Sequence, residues 1–152
     1  MIYLVANMHS LYREQRHAGS APVSRDLAKH LYTRMMCGKV AIVTDKPVPM
    51  LAAVRKQWMQ IERQLRRERS STLDATRILE LTYEIPRMQS MVFTAKAPID
   101  EPQADVLFAT AADFLRWPPQ CRTMYVTCPV ELEVLHQITA WMVVHGLVVV
   151  YG

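Results

Sequence analysis

The sequence predicts a three-layer α/β sandwich in which helices cover both faces of a mostly parallel sheet. Residues 40–44 are all apolar or β-branched, which is typical of a strand that is buried on both faces. Gly38 precedes this run, where a helix commonly ends, and Pro47 follows it, where another helix commonly begins. Gly146 and the apolar residues 147–151 repeat the order of helix, glycine and strand near the C-terminus.

The remaining elements follow from apolar runs and from helical spacing. We predict further strands at residues 2–6, 91–95, 106–109, 123–127 and 147–151. We predict helices from Ser24, as the N-cap, to about residue 36, over residues 111–116, and from 129 to 145. Strands that alternate with helices indicate a Rossmann-like sheet of about five or six strands. Residues 91–109 also fit a hairpin, which would make the sheet mixed.

Residues 50–88 form a long helical insertion in this prediction, either one segment or a helical hairpin that projects from the sheet. About 35 residues is long for a single crossover between parallel strands. Thr72 is predicted to cap the second helix, and Pro86 to end or kink it. An apolar seam has spacings of four, three and four residues and consists of Val54, Trp58, Ile61 and Leu65. We expect a second copy to cover this seam, which predicts a homodimer with Trp58 at or beside the interface.

The length and composition indicate one α/β domain over residues 1–152. No apolar run is long enough for a transmembrane helix, and the N-terminal residues lack the pattern of a signal peptide. The three cysteines form no CxxC pair and lack zinc-ligand spacing with histidine, so we predict free thiols in the cytoplasm and no zinc. The four glycines form no GxGxxG or GxxxxGK[ST] motif, and no cofactor is predicted.

The positive charge is concentrated in one predicted helix. The chain has a net charge of +4, and residues 54–69 carry six basic and two acidic side chains, which alone give six minus two, or +4. The basic residues are Arg55, Lys56, Arg63, Arg66, Arg67 and Arg69. Because clustered arginines neutralise phosphates without reading sequence, the leading hypothesis is a protein that binds nucleic acid or a nucleotide-type anion through this helix. A solvated helix face or an arginine-rich dimer surface also fits the pattern.

Polar side chains follow the predicted strands, at the edge where parallel α/β sheets bind ligands. The candidate crevice residues are Ser10, Thr44, Thr94, Lys96, Thr110, Thr127 and Cys128. The alternative function is a metal-dependent phosphodiesterase or nucleotide-processing enzyme with His9, Asp45 and Asp113, since Mg²⁺ needs only one or two carboxylates plus substrate oxygens. Threonine is also a good strand former, and Cys128 is either a nucleophile with a lowered pKa or a small buried apolar residue. A structural homo-oligomer without catalytic activity is the third hypothesis.

Overall fold

The structure, a computed structural model, describes residues 21–34, 38–95, 104–116, 121, 123–128, 130–134, 136–137 and 148–151. The elements in chain order are helix α1 (Ala21–Arg34), strand β1 (Val40–Val43), helices α2 (Pro47–Ser71) and α3 (Ala75–Ser90), strands β2 (Phe93–Thr94) and β3 (Val106–Ala109), helix α4 (Ala111–Arg116), and strands β4 (Thr123–Val126) and β5 (Val148–Tyr151). Residues 132–134 and 136–137 are also helical. The strand predicted at residues 2–6 lies outside the described part of the chain.

All pairs in the described sheet are parallel, and the strand order is β2-β3-β1-β4-β5. Four strands have four residues each, and the two-residue β2 extends the sheet at one edge. The predicted α/β class with a parallel sheet is confirmed. The alternative hairpin between residues 91 and 109 is wrong, because β2 pairs with β3 in the parallel direction.

The side chains of β1 alternate between two apolar clusters, one for each face of the sheet. Val40 and Ile42 belong to the cluster that contains the buried residues of α1, α2 and α3. Ala41 and Val43 belong to the opposite cluster, to which α4 contributes Phe114. Both faces of this central strand are buried, which explains why its residues form an uninterrupted apolar run and do not alternate with polar residues.

Helix α1 begins earlier than predicted. Its first residue is Ala21, so Ser24 lies within the helix, where it is buried, and the prediction of Ser24 as the N-cap is wrong. Pro22 occupies the first turn, which tolerates proline because the first amides of a helix have no intrahelical acceptor. Gly38 has a φ of 96°, the left-handed conformation expected before the strand. The matching expectation for Gly146 lies outside the described residues.

Helices α2 and α3 form a hairpin, and Asp74 closes the connection between them. The Asp74 carboxylate accepts hydrogen bonds from the amides of Thr76 at 3.0 Å and Arg77 at 3.4 Å, so Asp74 is the N-cap of α3. The prediction that Thr72 caps this helix is wrong, since its hydroxyl accepts from the amide of Asp74 at 3.2 Å. Pro86 lies inside α3 and does not end it.

The base of the hairpin packs on the sheet, and its tip extends beyond the core. Helix α2 contacts α1, α3, β2 and β3. Tyr32 of α1 donates a hydrogen bond to Glu84 of α3, and burial together with this bond raises the pKa of Tyr32 to about 12. The buried residues of α2 end at Leu65, and those of α3 begin at Leu81. The insertion therefore belongs to the core at its base and does not project as a whole.

Candidate anion-binding surface on helix α2

Helix α2 has one apolar face and one basic face. Pro47 begins the helix, where its missing amide proton costs nothing. The buried residues Met50, Val54, Trp58 and Leu65 lie on one side. At 100° per residue, five exposed basic side chains occupy an arc of about 120° on another side. We define this basic face as Arg55, Lys56, Arg63, Arg66 and Arg67.

Trp58 fixes α2 against the rest of the protein. Its exposed fraction is 5%, and its indole Nε1 donates a hydrogen bond to the carbonyl oxygen of Met88 at 3.1 Å. Its ring centroid lies 5.7 Å from that of Phe93 and 6.5 Å from that of Tyr32, distances typical of aromatic pairs. The expectation that a second copy covers the Trp58 ring is wrong, because the chain itself buries this ring.

Both carboxylates of α2 are engaged by arginines. Glu62 Oε1 lies 3.0 Å from Nη2 of Arg66 on the same helix, an ion pair without hydrogen-bond geometry, since this buried oxygen accepts no hydrogen bond within the described structure. Glu68 Oε2 accepts a hydrogen bond from Nη2 of Arg77, on α3, at 3.1 Å. The hydrogen bond from Arg77 lowers the pKa of Glu68, and the bonds to Glu68 and Glu80 raise the pKa of Arg77. Each acidic side chain of α2 thus has its own cationic partner, and one of these partners comes from α3.

The other basic side chains of α2 have different surroundings. Lys56, Arg63, Arg67 and Arg69 are exposed and take part in none of the ion pairs found among the described residues. The Arg55 guanidinium carbon lies 5.8 Å from the centroid of the Phe93 ring, which is a cation–π contact. Most of the positive charge of α2 is therefore not neutralised by a contact within the described structure.

A groove of about 380 Å³ lies between α2 and the residues that join α3 to β2. Its lining combines basic and apolar side chains: Arg55, Trp58, Met59, Glu62, Arg63, Arg66, Met88, Gln89, Met91 and Phe93. A second concavity of about 400 Å³ follows α2 itself. Arg55, Met59 and Arg63 border both. The basic face is thus continuous with a concave surface whose lining is mixed, with Met59 as its most exposed apolar side chain.

The carboxyl ends of three neighbouring strands bring several predicted crevice residues together. Strands β1, β3 and β4 are paired in register, so the residues that follow them lie at one level: Thr44, Thr110 and Thr127. Thr94 lies further from the carboxyl edge of the sheet, because it pairs with Leu107, three residues before Thr110. Thr94 is therefore not part of the group at this edge.

The hydroxyls of these three threonines have local hydrogen-bonding roles. Thr127 donates to the carbonyl oxygen of Val43 on the neighbouring strand at 2.7 Å. Thr44 accepts from the amide of Lys46 at 3.3 Å, and Thr110 accepts from the amide of Asp113 at 3.2 Å, which caps α4. The threonines therefore join strands to loops and helices, and this accounts for their position without a ligand.

Cys128 follows β4 at the same edge, but its thiol is not activated. Burial is the main cause that raises its pKa to about 11, and the negative charge of Asp45 adds to the shift. Burial also raises the pKa of Cys121, to about 12. Because the thiolate is the nucleophilic form, the possibility that Cys128 has a lowered pKa is wrong.

The acidic residues of the predicted enzyme site are only partly brought together. Asp45 is exposed after β1, and Asp113 is half-buried in α4, near the end of β3. His9, Ser10 and Lys96 lie outside the described residues. Within the described ranges, no group of three or more histidine, cysteine, aspartate or glutamate side chains is arranged to hold a metal ion. The described edge therefore supplies two carboxylates without an assembled ligand set.

No protein family, curated protein or solved structure matches this chain. None of the helices in the described part of the chain has the length and apolar character that a membrane crossing requires. The basic face of α2 is therefore the feature of the molecule that indicates a function.

The sequence did not indicate the apolar half of the groove. Phe93, Met88 and Met91 lie in a different part of the chain from Arg55, and in the sequence they read as a helix end and a strand. The structure places Phe93 beneath Arg55 because the Phe93 side chain lies on the face of the sheet that α2 covers. Only the excess of methionine, ten in the whole chain, hinted at an adaptable surface.

Proposed function

We propose that this protein binds nucleic acid through the basic face of α2. The observation that carries the proposal is an imbalance in ion pairing along this helix. Glu62 and Glu68 are each held by an arginine, whereas Lys56, Arg63 and Arg67 have no ion-pair partner among the described residues. Exposed cations of this kind favour a polyanion, because binding neutralises phosphates and releases their counterions.

The dimensions of the basic face suit a phosphate backbone. From Arg55 to Arg67, it extends about 18 Å along the helix axis at 1.5 Å per residue. This length spans several phosphates of a nucleic-acid strand. Contacts to phosphates position a protein but do not read bases, so we expect binding without sequence preference.

The proposed binding can be tested by fluorescence anisotropy with labelled single-stranded and double-stranded oligonucleotides of about 12 nucleotides. Each neutralised phosphate on a single strand contributes a log–log salt slope of about −0.7. Arg66 is paired with Glu62, so the other four side chains of the basic face give a slope of about −2.8, and affinity falls about 50-fold between about 50 and about 200 mM salt. The variant Arg63→Gln/Arg67→Gln keeps two of these contacts, which reduces this loss to about 7-fold.

The matched control is Arg25→Gln/Lys29→Gln, which removes the same charge from exposed positions of α1. We expect the control to keep the wild-type slope. Absence of binding to both single and double strands at about 50 mM salt would refute the proposal, since phosphate contacts are strongest at low salt. An equal change of slope in the control would show that net charge, and not the basic face, governs binding.

We further propose that the sheet is doubly wound and Rossmann-like. The first supporting observation is the strand order: β2 and β3 lie on one side of the central strand β1, and β4 and β5 lie on the other side, so the chain passes from one side of β1 to the other between β3 and β4. The second is that apolar clusters cover both faces of the sheet. In such sheets, ligands bind where the connections diverge. An enzyme at this edge, with Asp45 and Asp113 as its acidic residues, is the alternative function.

A second candidate property is self-association through α3. Leu79 and Tyr83 are 60% and 74% exposed, and the exposed Pro86 follows three residues later, so these residues form one outer stripe on the helix. Apolar stripes of this kind are common at protein interfaces, and a homodimer would place two of them face to face.

Cys121 and Cys128 are buried free thiols, which supports the proposal of a reducing, cytoplasmic location.

A further inference from the structure

We infer that the nucleic acid is single-stranded and that one unstacked base binds in the groove between α2 and β2. This inference rests on the proposed function of the basic face. Arg55 and Arg63 belong both to that face and to the rim of the groove. A strand whose phosphates contact these arginines therefore has a base within reach of the groove.

The floor of the groove suits a flat apolar ring. Met59 is 45% exposed and supplies most of the apolar surface that a ring can reach, whereas Met88, Met91 and Phe93 also line the groove but are only 2%, 7% and 8% exposed. Thioether side chains are polarizable and adapt to rings of different shape. The volume of about 380 Å³ falls within the range of small-ligand sites. In a duplex, the faces of a base are covered by its neighbours, so only an unpaired base can use such a floor.

Arg55 supplies a planar group at the rim. The contact with the Phe93 ring, 5.8 Å from the guanidinium carbon to the ring centroid, holds the Arg55 side chain beside the groove. Unpaired bases stack on aromatic rings and on guanidinium planes. Gln89, exposed at the same groove, offers an amide that can donate to and accept from a base edge. The groove therefore combines a stacking group with a polar group.

The charges around the groove favour an anionic occupant. Three arginines line it, and its one carboxylate, Glu62, is paired with Arg66. An apolar peptide segment in the groove would leave the remaining arginine charge uncompensated. A nucleotide unit supplies both a ring for the floor and a phosphate for the rim, which matches the lining better.

The test compares a single-stranded oligothymidylate of about 12 nucleotides with an abasic oligonucleotide that has the same number of phosphates. Stacking on protein groups makes a measurable contribution for each base, so we expect the oligothymidylate to bind about tenfold more tightly, equivalent to about 1.4 kcal/mol. Arg55→Lys keeps the charge but removes the guanidinium plane, and we expect it to reduce this ratio to below about threefold. Arg25→Lys on α1 is the matched control, for which we expect the wild-type ratio.

A second variant, Met59→Ala, shortens the exposed part of the floor and should reduce the same ratio. Equal affinity of the wild type for the two oligonucleotides would overturn the inference while leaving the proposed function in place. Absence of binding to either oligonucleotide would overturn both. A third outcome is that the wild type binds both oligonucleotides equally well and forms a dimer that Met59→Ala weakens. This outcome would overturn the inference, because a second copy of the chain would then occupy the groove.

Discussion

Replacement of Trp58 by phenylalanine tests whether α2 is fixed within the chain or at an interface between copies. The indole is 5% exposed and donates a hydrogen bond to the Met88 carbonyl oxygen. Loss of this bond costs about 0.5–1.5 kcal/mol. The smaller ring leaves unfilled space between Tyr32 and Phe93, which adds about 1–2 kcal/mol, less than the ~3–5 kcal/mol of a complete truncation to alanine.

We therefore expect Trp58→Phe to lower the free energy of unfolding by about 1.5–3.5 kcal/mol, which for a chain of this size lowers Tm by about 3–14 °C. The Met88 carbonyl oxygen also accepts from the amide of Met91 at 3.4 Å, so the substitution does not leave it without a partner. The measurement is thermal unfolding followed by circular dichroism at two protein concentrations. Leu73→Ala, at a position that is 98% exposed in the connection between α2 and α3, is the control and should stay within about 0.5 kcal/mol of the wild type.

Two results would refute this reasoning. An unchanged Tm for Trp58→Phe would show that the indole is not anchored as the structure shows. If the difference in Tm between Trp58→Phe and the wild type grew on dilution, Trp58 would lie at a subunit interface, because the stability of a dimer depends on protein concentration.

The remaining predictions concern α3 and the thiols. If the outer stripe of α3 forms a dimer, light scattering should give the mass of two chains for the wild type and of one chain for Tyr83→Glu, whereas a monomeric wild type would exclude this dimer. Because burial raises the pKa of Cys121 to about 12 and of Cys128 to about 11, mass spectrometry should show neither thiol alkylated in the native protein near pH 8, and modification of Cys128 there would contradict the structure. Both folded pKa values exceed the ordinary thiol value of 9.0, so the contribution of these thiols to stability is complete below pH 9 and should be lost as pH rises from there toward 11–12.

Elements with an uninterrupted local signal could be predicted from the sequence. Strand β3 and helix α4 have the predicted bounds, and β1 differs by one residue. A run of consecutive apolar residues indicates a buried strand, and the spacing of apolar residues indicates a helix within two turns. Both patterns can therefore be recognised without knowledge of the rest of the chain. Prediction of helix ends was less successful because several capping side chains occur close together. Asp74 caps α3 where Thr72 was expected, and Ser24 is buried inside α1.

The basic face of α2 was also visible in the sequence. Its residues lie within about four turns of one helix, so a periodicity of 100° per residue places them together whatever the rest of the chain does. The tertiary structure decided which of these charges are paired. Arg77 reaches Glu68 only because α3 folds back along α2. The sequence alone therefore determined the composition of the face but not the pairing of its charges.

The position of the candidate site was decided by tertiary structure. Strand order depends on which buried faces pack together, and many orders satisfy the same apolar pattern, so β2 and α2 were not expected to be neighbours. Their contact places Phe93 beneath Arg55 and buries Trp58. Local sequence determined that this protein is an α/β domain with a basic helix, because helical and strand periodicity are properties of consecutive residues. The packing of distant segments determined that this helix borders an apolar groove, because such contacts form only when the whole core assembles.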